Sequence, residues 1–378
     1  MSAQSCCPRV LFDHGPGGTA TAFYDASAVI RVDMPDQVDA AFEAMTAAQA
    51  AGKWLAGAVS YEFGYLTSPK LVDLLPPRRA VPLMQFGVFD SPRNAAQLMP
   101  DATLGPIVPQ WDLARYTQAF DIVQTYIGAG DTYQVNLTFP LTTQTHSTLD
   151  GLYAALRARQ PVPHGALVDL GGPALLSRSP ELFFALTTDG TLTTRPMKGT
   201  APRGATQAED DALRDALRAS IKNRAENLMI VDLLRNDMSR VSEIGSVKVP
   251  ELFEVARFET LHQMTSTISS QLIAGTTLHD LFFALFPCGS ITGAPKVRAM
   301  QIIAEVEQAP RDAYCGAIGW IAPDGSIEFN VAIRTLMCAP DGEVRLNVGG
   351  GVVYDSTSRE EYAEALLKAR FADLPESA

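Results

Sequence analysis

Cysteine is scarce in this chain of 378 residues, which has five cysteines and no C-x-x-C pair. No histidine stands at a metal-ligand spacing from any of them. A disulfide scaffold needs an even set of cysteines, and a structural zinc site needs closely spaced pairs of ligands. The composition therefore argues against both kinds of site and favours a reducing compartment. The five are Cys6, Cys7, Cys288, Cys315 and Cys338.

Positive charge is also in short supply. Lys and Arg together number 30 against 42 for Asp and Glu, so the formal net charge is −12. Nucleic acids and anionic membranes are bound through basic surfaces, and neither is an expected partner of this chain. A small anionic substrate stays compatible with the charge, because it needs only a local cluster of positive groups.

Long hydrophobic runs are missing as well. A membrane helix needs about 18 consecutive apolar residues, and the longest apolar run here covers only residues 281–286. The N-terminus, MSAQSCCPRV, lacks the apolar stretch of a signal peptide. Hydrophobic residues nevertheless make up 47% of the chain, which is ample for a core. We expect a cytoplasmic enzyme with no membrane partner.

The order of the apolar patterns indicates the fold class. Helical spacing predicts helices at 39–51, 112–129, 206–238, 278–286, 295–306 and 359–371. Alternating or continuous apolar patterns predict strands at 54–61, 133–142, 262–272, 314–321, 327–337 and 344–353. These elements follow one another without a regular βαβ alternation. We therefore expect an α+β fold with large, mostly antiparallel sheets packed together and helices outside.

A proline-rich stretch at 76–109 is the best candidate for a linker, although a loop on the surface of one domain would have the same composition. It separates an N-terminal region, residues 1–105, from a catalytic domain at 110–375. We expect the N-terminal region to pack into the same globule.

The last predicted helix carries Glu361, Glu364 and Lys368 at positions i, i+3 and i+7, so all three share one helical face. Two interpretations are open. The face is a solvated stripe, with Glu361 completing a capping box begun by Ser358, or the two carboxylates hold a hard cation such as Mg²⁺.

Two glycine-rich segments invite a phosphate-loop interpretation. The segment 286–296, FPCGSITGAPK, fails the Walker A pattern because Ala and Pro separate Gly293 from Lys296. The triplet Gly349, Gly350 and Gly351 lies toward the end of the last predicted strand, ahead of the loop before the final helix. It is either a simple bend or a turn whose positive φ angles and exposed N–H groups receive a carboxylate.

Two further residues have chemistry that depends on their surroundings. Lys198 is a lone lysine in a compact loop, and such a lysine is usually a solvated surface group. Glu181 precedes an apolar strand, where burial would raise its pKa as a general acid requires, unless it faces water. On the long predicted helix, Lys222 and Glu226 are spaced for a surface ion pair.

Taken together, six motifs resemble those of the chorismate-utilising enzymes, across nearly all of 110–372. Position 198 is Lys, as in the branch of the family that aminates chorismate at C4. Gln134 stands where the water-adding branches have Lys. Both positions favour 4-amination over 2-amination or hydration, and the resemblance implies the fold of the anthranilate synthase component I type. The motifs are TRPMKGT (194–200), KNRAENLMIVDLLRNDMSR (222–240), FPCGSITGAPKVRAM (286–300), AYCGAIG (313–319), IRT (333–335) and GGGVVYDS (349–356).

The resemblance also implies a binding mode for chorismate, which is a dianion. Its ring carboxylate would lie on Mg²⁺, held by Glu226, Glu361 and Glu364. Its other carboxylate would meet Arg334, Lys368 and the N–H groups of Gly349, Gly350 and Gly351. The family positions that line the rest of the pocket correspond to Tyr314, His262, Thr292 and Gln134.

By the same resemblance, the Lys198 amine would attack ring C2 while Glu181 protonates the departing C4 hydroxyl. Ammonia would then attack C4 and expel Lys198, leaving 4-amino-4-deoxychorismate for 4-aminobenzoate and folate synthesis. The chain has no G-x-C-x-G nucleophile motif of a glutaminase. A separate glutamine amidotransferase subunit is therefore implied. Cys288 stands where the family usually has Gly, which leaves the geometry of that turn open.

Two other functions remain in consideration. One is 2-amination, the reaction of anthranilate synthase component I. The other is a regulatory protein that binds chorismate or tryptophan and has lost catalysis. The presence of Glu181, Lys198 and the three acids argues against the second.

Overall fold

The computed structural model describes residues 8–258 and 261–374, so Cys6 and Cys7 lie outside the described residues. Within these ranges the chain forms twenty β-strands and eight α-helices. The strands are β1 (Arg9–Phe12), β2 (Thr21–Phe23), β3 (Ala28–Val32), β4 (Trp54–Val59), β5 (Met84–Phe89), β6 (Arg93–Asn94), β7 (Val108–Pro109), β8 (Gln134–Gln144), β9 (His164–Asp169), β10 (Ala174–Ser179), β11 (Leu182–Leu186), β12 (Thr191–Arg195), β13 (Met197–Pro202), β14 (Lys248–Arg257), β15 (Leu261–Gln271), β16 (Gly293–Ala294), β17 (Ala317–Ile321), β18 (Ile327–Val331), β19 (Thr335–Cys338) and β20 (Glu343–Val352). The helices are α1 (Val38–Ala50), α2 (Leu113–Gly128), α3 (Leu149–Arg159), α4 (Gln207–Ala219), α5 (Ile221–Ser239), α6 (Leu278–Leu285), α7 (Lys296–Glu307) and α8 (Ser358–Ala369).

The strands form two antiparallel sheets of ten strands each. Sheet I has the order β16-β8-β20-β19-β10-β9-β1-β2-β6, with β7 paired to β8. Sheet II has the order β13-β15-β12-β11-β18-β17-β4-β5-β3, with β14 paired to β15. Helices α7 and α8 pack on β8 and β20 of sheet I, and α5 packs on β13 and β15 of sheet II. The predicted α+β fold with large antiparallel sheets is confirmed.

The two sheets face each other across an apolar core. Phe23 of sheet I and Phe89 of sheet II place their ring centroids 5.3 Å apart, and both side chains are fully buried. A second aromatic group lies under α6, where Phe282 packs on Phe184 and Phe329 of sheet II. Aromatic pairs of this kind add roughly 0.5–1.5 kcal/mol beyond the area that they bury.

The first hundred residues supply strands to both sheets. Strands β1, β2 and β6 belong to sheet I, and β3, β4 and β5 belong to sheet II. The stretch proposed as a linker, 76–109, contains β5, which lies between β4 and β3 in sheet II. The prediction of a linker at 76–109 is therefore wrong, because the apolar residues Met84–Phe89 form a strand inside sheet II. The division at 105–110 stays a prediction.

The single helix predicted over 206–238 is two helices. Ser220 has extended backbone angles, φ −64° and ψ 114°, and its hydroxyl accepts a hydrogen bond from the N–H of Asn223. A serine in this conformation caps a new helix start. The chain therefore changes direction at Ser220, and α5 packs against the strand that carries Lys198.

The strand predicted over 327–337 is also divided. Residues Ile327–Val331 form β18 in sheet II, whereas Thr335–Cys338 form β19 in sheet I. The change of sheet occurs at Arg334, whose φ of +51° is in the left-handed region. Its carbonyl oxygen accepts a hydrogen bond from the N–H of Arg178 at 2.9 Å. This crossover brings Arg334 between the two sheets.

A buried arginine connects the N-terminal region to β8 of sheet I. Arg311 donates to Glu307 and to the carbonyl oxygens of Ile291 and Asn136, at 2.6–3.0 Å. Its backbone N–H donates to Oε1 of Glu62 at 2.7 Å. The turn before α7 is thereby fixed against β8. None of the helices in the described ranges is long and apolar enough to cross a membrane.

Candidate active site

Glu181 lies directly before β11 and is 4% exposed. Its Oε1 atom is buried without a hydrogen-bond partner. Burial raises the pKa of this carboxyl to about 7, against the opposing effects of the Ser290 hydroxyl, Lys198 and Arg334. The structure thus favours the buried interpretation of Glu181 over the solvated one. A carboxyl with this pKa can deliver a proton near neutral pH.

Lys198 lies on β13 and is partly buried. Burial lowers its pKa, and so does the nearby ammonium of Lys368, whereas the carboxylates of Glu181, Glu226 and Glu364 act in the opposite direction. A lysine with the ordinary pKa near 10.4 is neutral in only about one molecule in 10³ at pH 7. The lowered pKa increases the fraction of Lys198 that carries a nucleophilic lone pair.

Arg334 lies close enough to Glu181 for the carboxylate to affect its pKa. Burial lowers its pKa, and the charges of Glu181 and Tyr314 oppose that effect. Strand β19 pairs with β20 only from Leu336 opposite Leu346 onward. Beyond that point β20 continues to Val352 with β8 as its partner. Arg334 therefore stands beside the open edge of β20, where an anion can meet a guanidinium and backbone N–H groups together.

The glycine triplet lies within β20 and is not a turn. Gly349, Gly350 and Gly351 pair with Thr138, Leu137 and Asn136 of β8, and none of the three has a positive φ. The expectation of a positive-φ turn is therefore wrong. What the positions require is space, because a Cβ at Gly349 would lie 2.2 Å from the carbonyl oxygen of Leu137.

The absent side chain of Gly350 leaves room for two charged groups of α8. A Cβ there would lie 3.0 Å from Oε2 of Glu361 and 3.5 Å from Nζ of Lys368. Burial and the nearby Glu364 raise the pKa of Glu361, and the hydroxyl of Ser356 donates to its Oε1 at 2.7 Å. The predicted capping box is wrong, since Thr357 caps α8 and its hydroxyl accepts from Glu360 N–H.

The three acids proposed as metal ligands are only partly assembled. Glu361 and Glu364 both face Gly350, and Lys368 pairs with Oε1 of Glu364 at 2.9 Å. Glu226 lies on α5, near enough to Lys198 to affect its pKa. In residues 8–258 and 261–374, no group of three or more His, Cys, Asp or Glu side chains could hold a metal ion. The oxygen donors themselves suit Mg²⁺ chemically.

Gln134 begins β8 and is 1% exposed. Neither its Oε1 nor its Nε2 has a hydrogen-bond partner, and its side-chain amide atoms lie 3.0–3.3 Å from the position that a Cβ of Gly351 would take. A buried amide without partners is costly in free energy. Its unpaired atoms are therefore suited to a polar ligand beside the glycine edge.

The other three predicted pocket residues are all buried. The Thr292 hydroxyl donates within its own turn, to the carbonyl oxygens of Cys288 and Gly289 at 3.2 and 3.3 Å. Tyr314 is 6% exposed, and burial raises its pKa well above the ordinary value. His262 contacts Asp210 of α4, with 2.9 Å between Nε2 and Oδ1.

Sequence reasoning missed Ser290 and the role of Lys222. Ser290 lies in the FPCGSITGAPK turn and is the polar group whose interaction lowers the pKa of Glu181. Cys288, in the same turn, is a free buried thiol with Sγ 3.3 Å from the Ser290 hydroxyl. Lys222 lies near enough to α8 to lower the pKa of Glu361 and Glu364. Its spacing to Glu226 suggested only a surface ion pair.

The family model described as "chorismate binding enzyme" matches residues 7–373. This chain belongs to the chorismate-binding enzymes. Anthranilate synthase component I of Streptococcus pneumoniae has the same fold, with a TM-score of 0.80 over 98% of this chain and 93% of that chain, at 23% identity.

Two curated relatives bear different names. Aminodeoxychorismate synthase component 1 of Escherichia coli is 45% identical over 258 residues, which are 67% of this chain and 56% of that protein. Anthranilate synthase component 1 of Streptomyces coelicolor is 40% identical over 259 residues, which are 68% of this chain and 50% of that protein. The chain thus spans about half the length of these relatives.

Proposed function

We propose that this chain converts chorismate and ammonia to 4-amino-4-deoxychorismate, as the synthase component of a two-component enzyme that uses Mg²⁺. One observation carries the proposal. Glu181 is a buried carboxyl with a pKa of about 7, and Lys198 is a lysine whose pKa is lowered. The two groups lie close enough for each to affect the pKa of the other. A general acid beside a neutral amine is the pair that nucleophilic displacement of a hydroxyl requires.

The proposed reaction has two displacements. In the first, the Lys198 amine forms a bond to ring C2 and the C4 hydroxyl leaves as water, with its proton supplied by Glu181. In the second, ammonia forms a bond to C4 and the C2–N bond to Lys198 breaks. The lysine recovers its electron pair and Glu181 regains a proton. Dividing one difficult step into two lowers the barrier of each.

The positive groups of the site suit a substrate with two carboxylates. Arg334 stands beside the open edge of β20, and Lys368 donates to the carbonyl oxygen of Gly349 at 2.9 Å. Gln134 adds an amide with unsatisfied hydrogen-bonding capacity. An arginine, a lysine and backbone N–H groups within one cleft bind carboxylates through charge-assisted hydrogen bonds.

Glu226, Glu361 and Glu364 are the residues that would hold Mg²⁺. When bound there, the ion would neutralise the substrate carboxylate next to the reacting ring. The carboxylates of Glu361 and Glu364 already meet at Gly350, and the raised pKa of Glu361 reflects in part their mutual repulsion. A cation at this point would relieve that repulsion.

The ammonia would come from a separate glutamine amidotransferase subunit in the cytoplasm. Relatives named "component 1" support a second component. The three described cysteines are free and buried, and each lies in the core or beside it. Burial raises the pKa of each thiol to about 12, which is unlike a reactive glutaminase nucleophile.

The deciding experiment is incubation of the purified chain with chorismate, Mg²⁺ and ammonium, followed by identification of the product by mass and by the position of the amine. The proposal predicts 4-amino-4-deoxychorismate. The similarity to anthranilate synthase component 1 of Streptomyces coelicolor makes 2-amination the second candidate. Fluorescent anthranilate formed without an added lyase would establish that alternative, and an inert chain would refute both.

A further inference from the structure

Strand β13 is irregular at the residue proposed as the nucleophile. Two of its residues, Lys198 and Gly199, lie opposite a single residue of β15, Met264. The pairs on either side are Met197 with Thr265 and Thr200 with Gln263. An extra residue of this kind is a β-bulge, which redirects a side chain and disturbs the hydrogen bonding of the sheet. Lys198 is therefore one of the two residues of a bulge.

The bulge determines which face of sheet II carries Lys198. In a regular strand, residues two apart point to the same face, so Lys198 would share a face with Thr200. The extra residue breaks this alternation and puts Lys198 and Gly199 on the face of Met264. Thr200 lies on the opposite face, together with Gln263.

The face of the bulge is the one that packs on α5. A Cβ at Gly199 would lie 3.0 Å from the side chain of Asn223, and the Gly199 φ of +87° is in the left-handed region, which glycine adopts without strain. Burial lowers the pKa of Lys198, and the carboxylate of Glu226, also on α5, opposes that effect. The bulge thus turns Lys198 toward the helix that carries Glu226.

The Gln263 side chain holds the bulge from β15. Its Nε2 donates to the carbonyl oxygen of Gly199 at 2.8 Å, and its Oε1 accepts from the hydroxyl of Thr200 at 3.1 Å. A bulge leaves backbone groups outside the regular ladder, and a backbone carbonyl away from water needs a donor. The bond from Thr200 orients the amide, because only its NH2 group can donate to Gly199. Gln263 is 8% exposed, so its amide is shielded from competing water.

We propose that Gln263, oriented by Thr200, is a positioning residue for the reaction. By holding the carbonyl oxygen of Gly199, its amide keeps the bulge in place and the Lys198 amine on the α5 face while the bond to ring C2 forms and breaks. The inference rests on the proposed function for the identity of that reaction. Positioning of this kind matters because a displacement of about 1 Å can lower a rate by about 100-fold.

Hydrogen exchange tests the contact without any turnover. Gln263→Met keeps the length of the side chain and removes both hydrogen bonds. We expect amide exchange in residues 198–201 to become at least about 10-fold faster in this variant, because the bulge opens more often when its carbonyl has no donor. Mass spectrometry of peptides that cover 197–202 is the measurement. Unchanged exchange in these peptides would overturn the proposal.

Gln271 provides a matched control on the same strand. Its Nε2 donates to the backbone carbonyl oxygen of Asp189, also at 2.8 Å, in the turn between β11 and β12. Gln271 lies at the other end of β15 from Gln263. Gln271→Met therefore removes the same kind of bond away from Lys198. It should accelerate exchange around Asp189 and leave residues 198–201 unchanged.

Kinetics distinguish positioning from general stability. We expect Gln263→Met to lower kcat by about 10- to 100-fold and to leave the KM for chorismate within about twofold, because the chemical step needs the Lys198 amine in place. Urea unfolding should show similar losses of stability in Gln263→Met and Gln271→Met, whereas kcat should fall only in the first. Equal losses of kcat in the two variants would overturn the proposal, and so would a raised KM at unchanged kcat.

The Thr200 hydroxyl gives a second test that leaves Gln263 in place. Thr200 is exposed, so its variants are expected to fold even where Gln263→Met does not. Thr200→Val keeps the branched shape without the donor, and Thr200→Ser keeps the donor. We expect a lower kcat in Thr200→Val and rescue in Thr200→Ser, and equal kcat values in the two variants would overturn the proposal. If exchange at 198–201 responds to Gln263→Met but the unmodified chain does not turn over chorismate, the proposed function fails and the hold of Gln263 on the bulge stands.

Discussion

The ammonium of Lys368 lies 2.9 Å from Oε1 of Glu364, one helical turn earlier on α8. The same nitrogen donates to the carbonyl oxygen of Gly349 at 2.9 Å. A side-chain cation therefore already neutralises one of the carboxylates proposed for Mg²⁺. Metal binding to the free chain has to compete with this ion pair.

Removing the competitor should strengthen metal binding in the absence of substrate. Lys368→Met is expected to tighten the Kd for Mg²⁺ by up to about fivefold, since a partly exposed ion pair is worth roughly 0.2–1 kcal/mol. Isothermal titration with metal-free protein measures the change. Lys53→Met is the matched control, because Lys53 pairs with Asp90 on the surface at 2.5 Å. Weaker Mg²⁺ binding in Lys368→Met would contradict the competition.

Glu226 connects the metal proposal to α5. Glu226→Gln should abolish activity and the dependence on Mg²⁺ together, because the amide keeps the shape of the side chain but loses its charge. Activity at several Mg²⁺ concentrations is the measurement. Asp232→Gln is a suitable control, since Asp232 lies further along α5 in an exposed pair with Arg235. If Glu226→Gln changes neither property, the metal ligand is elsewhere.

Lys198→Ala tests the nucleophile. We expect formation of aminodeoxychorismate to fall by at least about 100-fold, since the variant has no amine to form the covalent intermediate. Chorismate binding should survive, because Arg334 and the open edge of β20 are unchanged. Product mass spectrometry and a binding titration measure the two properties separately. Turnover like that of the unmodified chain would refute the role of Lys198.

Glu181 should set the alkaline limb of the pH profile. Its pKa of about 7 means that the carboxyl is protonated below pH 7 and ionised above it. The step that needs its proton is therefore fully supported at low pH and declines as pH rises through 7. Glu181→Gln should lower kcat by about 10²–10⁴-fold and remove that limb. A profile of kcat against pH that keeps the same limb in the variant would assign it to another group.

The hydrophobic periodicity of the sequence predicted the elements that pack through one apolar face. It failed where contacts between distant residues determine the backbone conformation. Helix α2, predicted at 112–129, is Leu113–Gly128, and its buried residues recur at helical spacing, at positions 116, 119, 120, 123 and 127. The break at Ser220 was missed because the flanking residues favour helix on both sides. The kink at Arg334 has no local signal, since arginine at φ +51° is held there by the N–H of Arg178 from another strand.

The same limit applies to the site. Glu181 and Lys198 were predicted as site residues from the sequence, and the structure adds the burial that shifts the pKa of each. The contact of His262 with Asp210 joins residues 52 positions apart, and no spacing rule reaches that far. The glycine triplet was placed correctly in the chain but assigned the wrong cause, because the sequence does not show that β8 lies against it.

Glu62 gives a test of the fold that is independent of catalysis. It is 1% exposed, its Oε1 accepts from the N–H of Arg311, and its Oε2 has no partner. Burial, with the nearby Asp312, raises its pKa to about 8, from an ordinary value of 4.5. The folded chain therefore holds a proton that the unfolded chain loses between pH 4.5 and 8. The free energy of unfolding should decrease as pH rises through that window.

Glu62→Gln removes this pH dependence, because glutamine stays neutral and its amide oxygen can still accept from Arg311. The variant should match the unmodified chain near pH 4.5. It should exceed it increasingly up to pH 8, by at most about 5 kcal/mol for a shift of about 3.5 pKa units. Urea unfolding at several pH values measures the difference. Glu43→Gln, on the exposed face of α1, is the control and should show no such trend. A constant difference between Glu62→Gln and the unmodified chain across pH would mean that Glu62 is ionised in the folded protein.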